Sequence, residues 1–155
     1  MKWLLMLIGI VAVSMLIWFL FLAHQSKNVP KLGLVNGQLA ACKLSSNCVN
    51  SADAASGIAA ISFKGTAAEG WADMHQTLMV VDGAVQQHTD NYLWATFTTP
   101  LFGYVDDVEL LMEPDQQRFQ IRSASRVGRS DFGANRDRVA AIRGRFSETA
   151  SGSGR

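Results

Sequence analysis

From Trp3 to Ala23 the chain runs for 21 residues without a charge, and 19 of them are hydrophobic. At about 1.5 Å per residue a helix of that length spans roughly 31 Å, the thickness of a bilayer's hydrocarbon core, so the pattern predicts one transmembrane helix. Trp3 and Trp18 fall near its two ends, where indole rings favour the interfacial zones. Lys2 precedes the span and Lys27 and Lys31 follow it, so flanking charge alone does not choose an orientation. The rival is a cleaved signal peptide, whose apolar region is normally about 7 to 15 residues long and ends on small residues. Cutting after Ala23 would leave bulky Phe21 three positions before the bond.

Residues 24–57 hold Pro30, several Gly and Ser turns and little periodicity, and read as an extended arm. At Ile58 the pattern changes. Ile58 to Phe63 is a short apolar run suited to a buried strand, and Gly65-Thr66 offers a cap for a helix on which Ala67, Trp71, Met74, Leu78 and Val81 form one apolar stripe. Ala84 to His88 and Tyr92 to Thr98 flank a turn at Asp90-Asn91; Val105 to Met112 and Gln117 to Ser123 flank a second at Pro114-Asp115. A final helix is expected from about Ala134 to Phe146, with Val139, Ile142 and Phe146 on one face and residues 147–155 as a flexible tail. The order β-α-β-β-β-β-α, with short turns between most strands, predicts an α+β fold behind the transmembrane helix. Its sheet is mostly antiparallel, of about five strands, with two helices packed on one face. The organisation is 1–23 anchor, 24–57 arm with a cysteine loop, 58–146 α+β domain and 147–155 tail.

Alternation also constrains the second hairpin. Val108, Leu110 and Met112 share one face of their strand and Phe119 and Ile121 one face of the next, so paired residue numbers must sum to an odd value, 229 or 231. Either sum sets an acid, Asp107 or Glu109, opposite Arg122.

Composition refines this picture. Hydrophobic residues make up 48% of the chain, and without the apolar run the share is about 41%, ordinary for a globular fold. A net charge of +1 gives no bulk electrostatic case for nucleic-acid binding. Cys42 and Cys48 are the two cysteines, and His24, His75 and His88 show no ligand spacing around them, so no metal site or cofactor is expected. A local disulfide would stabilise by about 2 to 2.5 kcal/mol in the chain-entropy view, given an oxidising compartment. That places the domain outside the cytoplasm: a single-pass protein of the inner membrane with its C-terminal domain on the periplasmic side. The alternative is a pair of reduced, buried thiols on the cytosolic side. Leu39-Ala40-Ala41-Cys42 has the form of a lipoprotein processing box, but fifteen mostly polar residues separate it from the apolar run it would have to follow.

The stretches FGYVDDVE from Phe102 to Glu109 and IRSASRVGRSDFGANRDR from Ile121 to Arg138 resemble the signature of domain-of-unknown-function family 1499. LAACKLSSNCV, from Leu39 to Val49, is similar to that family's cysteine segment, with Ala41, Lys43 and Ser46 where members often carry proline. The resemblance spans about residues 39 to 143. It implies a domain found mainly in bacteria and plastid-bearing organisms, without an assigned activity.

The chemistry in these stretches is one of arginine. From His24 to Gln117 the chain carries a net −6, and from Arg118 to Arg155 nine Arg and three acids give +6. In one reading Asp106, Asp107 and Glu109 neutralise these arginines in an internal lattice. In the other, Arg122, Ser123, Ser125, Arg126, Arg129, Asp131, Asn135 and Arg136 form an anion- or partner-binding surface, with backbone N–H groups at the last helix's N-terminus facing a phosphate or carboxylate. Catalysis is harder to assemble. Asp106 and Asp107 point to opposite faces of a strand, Asp106 beside Val108 calls for a strand-end or loop position, and His75 and His88 have no nucleophile in a triad-like pattern. Trp71, Tyr92, Trp94 and Phe97 read as core and sheet-face aromatics. The function classes are thus, in order, a membrane-anchored interaction or scaffold domain with a protein partner in the same membrane or periplasm, a binder of a small anion or lipid headgroup, and a hydrolase-like enzyme.

Overall fold

A computed structural model describes residues 1–153. The apolar run forms α1 (Lys2–Ser26), which stands clear of the rest of the chain along most of its length and buries only Ala23 and Ser26. After it come β1 (Leu34–Val35), β2 (Gln38–Leu39), β3 (Cys48–Asn50), β4 (Ile61–Ser62), α2 (Ala67–Val80), β5 (Ala84–His88), β6 (Tyr92–Thr98), β7 (Val105–Glu113), β8 (Arg118–Ser125) and α3 (Ala134–Ser153). Strands β3-β8-β7-β6-β5 lie side by side, β4 also pairs with β8, and every pairing is antiparallel. The sheet therefore has six strands where the pattern predicted about five.

The β7–β8 register pairs Val108 with Ser123, Leu110 with Ile121 and Met112 with Phe119, the odd sum of 231. Alternation then sorts the sheet into two faces. Leu93, Ala95, Phe97, Val108, Leu110, Met112, Phe119 and Ile121 lie on one, and there they pack against Trp71, Met74 and Leu78 of α2 and Val139, Ile142 and Phe146 of α3. The opposite face carries Tyr92, Trp94, Asp107, Glu109, Leu111 and Arg122.

That second face is covered by the segment expected to be an extended arm. Leu34 and Leu39 of the small β1–β2 hairpin pack on Tyr92, Trp94 and Leu111, and β3 joins the main sheet. Strands of two or three residues are too short to leave a period in the sequence, which is why the arm reads as featureless. At the other end, α3 continues past Phe146 to Ser153, so the expected tail is helical up to there. Residues 147–153 carry no apolar stripe to announce a helix. Gly154 and Arg155, the rest of that tail, lie outside the described residues.

Helix α2 begins where Thr66 was expected to cap it. Its hydroxyl accepts from the Glu69 N–H at 3.2 Å while the Glu69 carboxylate accepts from the Thr66 N–H at 2.7 Å, a reciprocal capping box. One turn in, Gly70 rests against the Phe63 ring: a Cβ there would sit 2.9 Å from Phe63 Cδ2. Alanine normally favours a helix over glycine by about 1 kcal/mol. Here the overpacking, about 1 to 3 kcal/mol, opposes it. Gly70→Ala is expected to lower the melting temperature; a rise in a thermal melt would show that Phe63 moves aside freely.

Candidate functional site

The polar residues of the two signature stretches converge at the end of the sheet next to α1. Strand β7 enters as Val105-Asp106-Asp107-Val108-Glu109, and alternation sends Asp106 toward the helices and Asp107 and Glu109 toward the arm. Each acid meets one arginine. Glu109, wholly buried, accepts from Arg122 Nη1 at 2.6 Å, from the Tyr92 hydroxyl at 2.8 Å and from the Gly33 N–H at 3.2 Å. Asp107 takes both prongs of the Arg126 guanidinium, at 2.7 and 2.9 Å, and the Trp94 indole N–H at 2.8 Å. Asp106 meets Arg138 at 2.7 Å. Charged side chains this well covered are stable only when paired and hydrogen-bonded, and all three acids are. Burial, followed by the Glu109 carboxylate, pushes the Tyr92 phenol far above its ordinary range, so it remains a hydrogen donor.

Asp106 stands in β7 itself, one residue in from its start. Its charge is tolerated on the helix-facing side because Arg138, one turn into α3, reaches back to it. That arginine also donates to Asn135 Oδ1 at 2.6 Å and to Ser123 Oγ at 3.1 Å, and its guanidinium lies 5.1 Å from the Phe97 ring centroid. Arg138 was not among the residues singled out in the sequence. Its signal there was its place on the same helix face as Asn135, three residues earlier.

Asn135 is the second hub. It is fully buried, accepts from Ser123 Oγ at 2.6 Å, and donates to the Asn47 carbonyl at 2.9 Å, to Ser125 Oγ at 3.0 Å and to Asp131 at 2.7 Å. The site thus ties α3 to β8 and to the cysteine loop. Cys42 and Cys48 are joined in a disulfide, their Cα atoms 5.6 Å apart.

Of the proposed binding residues, Arg122 and Arg126 fall on the arm side, and Ser123, Ser125, Asp131 and Asn135 lie together on the helix side. Arg136 is drawn away to the carbonyls of Ser56 and Gly57. Arg129 is exposed, and its backbone carbonyl accepts from Ser46 Oγ. The depression at the start of α3 is small, about 250 Å³, and Asp131 lines it together with Ser46, Ser130, Gly133 and Arg136. Asp131 already caps this end of the helix: its carboxylate accepts from Gly133 N–H at 3.0 Å and Asn135 N–H at 2.9 Å, and its backbone carbonyl accepts from Ala134 N–H at 3.1 Å. His75 and His88 lie apart from all of this, ring nitrogens 2.9 Å from each other, and burial followed by the His75 charge holds His88 below its usual value.

For Asp131, burial pushes the pKa up, but the N–H groups of Asn135 and Gly133 outweigh it and leave the carboxyl below its ordinary 3.8. A lowered folded value means the stabilisation is present above the ordinary value and is lost as pH falls through the folded one. Asp131→Ala is expected to cost about 1 kcal/mol near neutral pH, as for a lost helix cap. Urea melts at falling pH should show the gap between the two proteins closing in the acid range; a gap that is constant with pH would remove the capping role.

The profile of a family described as "Protein of unknown function (DUF1499)" matches residues 38–146, which hold the pairs of Asp106, Asp107 and Glu109 with their arginines and exclude α1. No curated protein matches the chain.

Proposed function

This chain belongs to the DUF1499 family, whose description carries no activity, and we propose that it is a membrane-anchored interaction or scaffold domain displayed outside the cytoplasm. The observation that carries this reading is the Arg126 clasp. While two of its nitrogens hold Asp107, Nη1 donates to the carbonyl of Ser26 at 3.0 Å, at the last turn of α1. Ser26 Oγ in turn accepts the Val105 N–H at 3.0 Å. The most buried ion pair of the sheet is therefore built into the joint with the anchor. The guanidinium groups of Arg122, Arg126, Arg136 and Arg138 are all engaged with protein acceptors, which favours a lattice over an open anion pocket. The Cys42–Cys48 disulfide favours an oxidising compartment, and with it the N-in, C-out arrangement of a single-pass inner-membrane protein whose partner shares the membrane or periplasm.

A phosphatase that is active only outside the cytoplasm, fused to the C-terminus, should be active, and Cys42 and Cys48 should resist alkylation in intact cells. Fluorescence from a cytosol-restricted reporter at the same position, together with freely alkylated thiols, would overturn the reading. Co-purification from mild detergent, followed by mass spectrometry, then looks for the partner.

A further inference from the structure

The sheet end that meets α1 carries three loops: the cysteine loop before β3, the β6–β7 turn at residues 99–104, and the stretch between β8 and α3. Pairing brings them together, since Thr98 opposes Val105, Asp106 opposes Ser125 and Cys48 opposes Ala124.

The β6–β7 turn does not stop at the end of the anchor. The Phe102 ring stacks on Phe19 with centroids 5.5 Å apart, and the Tyr104 hydroxyl donates to the Phe19 carbonyl at 3.1 Å. Phe19 lies four residues inside the end of the apolar run at Ala23, about 6 Å along the helix axis. The turn therefore reaches the depth of the apolar span. Its neighbour Leu101 is 82% exposed, and Phe132, in the loop between β8 and α3, is 97% exposed. Phe132 also holds a left-handed φ of 53°, which a bulky residue rarely adopts, and turns its ring away from the protein. Leu44 is exposed in the cysteine loop. Around these tips Lys27, Lys43 and Arg129 are exposed cations.

Apolar tips ringed by cations suit the boundary between phosphate headgroups and acyl chains. We propose that this end of the domain is a second membrane-contacting surface. Leu101, Phe102 and Phe132 enter the interfacial layer of the bilayer that α1 crosses, and Lys27, Lys43 and Arg129 face anionic headgroups. This rests on α1 spanning the bilayer, and the orientation of the domain follows from it.

The test uses the full chain in vesicles of phosphatidylcholine and phosphatidylglycerol, with the photoreactive residue benzoylphenylalanine placed singly at positions 16, 101, 132 and 115. Leu16 lies within the span. Asp115 is the control, at the far end of the β7–β8 hairpin, about 30 Å away. All four side chains are exposed, so the fold is expected to survive, which the intact disulfide and near-ultraviolet dichroism check. Lipid adducts at 16, 101 and 132 and none at 115 are the expected result. Adducts at 16 without adducts at 101 and 132, or protein adducts in their place, overturn this inference while leaving the anchor intact. No adduct at 16 overturns the anchor itself, and the depth argument with it.

Discussion

Arg122→Ala should destabilise the protein by about 3 to 5 kcal/mol, the cost of removing one partner from a buried ion pair. The reason is Glu109. Its carboxylate is completely buried on the sheet face under the β1–β2 hairpin, and without Arg122 its remaining partners are the Tyr92 hydroxyl and the Gly33 N–H, neither of which carries charge. An exposed cross-strand pair would be worth only about 0.2 to 1 kcal/mol. The second substitution separates the two cases. Glu109→Gln removes the stranded charge while still accepting from Tyr92, so the double variant is expected to recover part of the loss. The pair is also imperfect, because Arg122 Nε is buried without an acceptor among the described residues. Breaking it should therefore cost more than the pair itself contributes. Urea melts of the two single variants and the double give the coupling directly. If Arg122→Ala leaves the melt unchanged but abolishes partner capture, the lattice fails at this residue and a binding surface takes its place.

Asn135→Ala is the other large effect, expected at about 3 kcal/mol. No charge is stranded here, but Ser123 Oγ loses its acceptor in a buried site, while the Asn47 carbonyl loses one of two donors and keeps the Ser125 N–H at 2.9 Å. Each unsatisfied buried group costs about 1 to 3 kcal/mol, and groups sharing one network do not add. Asn135→Asp separates hydrogen bonding from packing. It keeps the size and still accepts from Arg138 and Ser123, but sets a carboxylate against Asp131 and the Asn47 carbonyl. It should be damaging at neutral pH and recover in acid as the new carboxyl takes up a proton. Equal melts for Asn135→Asp and the unmodified chain across pH would show that the network is not what matters at this position.

Much of this arrangement was legible in the chain, for a definable reason. Val108, Leu110, Met112, Phe119 and Ile121 must share a face, so alternation alone narrowed the hairpin register to two options, and both placed an acid opposite Arg122. The same alternation separates Asp106 from Asp107. Nothing local points to Arg138 as the partner of Asp106 across 32 positions of sequence, or to Arg126 reaching the carbonyl of Ser26 across 100. Such partners are set by how α3 and α1 dock, which depends on packing summed over whole elements. Strands β1 and β2 were hidden for the opposite reason: two residues each carry too little pattern to register. Asn135 was grouped in the sequence with the anion- or partner-binding candidates, and its burial follows from the crossing of α3 over β8, which no residue spacing encodes.

The joint between α1 and the sheet has a consequence for reach. Many anchored domains hang from a linker whose length sets the volume they can search and the local concentration at which they meet a target. Here the chain passes from the last turn of α1 to Asn28, still touching Arg126, and Gly33 is already bonded to Glu109. No slack remains. With α1 as the membrane anchor we propose, the domain's radius of capture is close to its own size, and it explores new ground chiefly by the lateral diffusion and tilt of that helix. On that proposal a partner meets it within a few nanometres of the bilayer surface and at a fixed angle. Lengthening the joint by inserting residues after Ser26 would relax that geometric filter before it altered any contact surface.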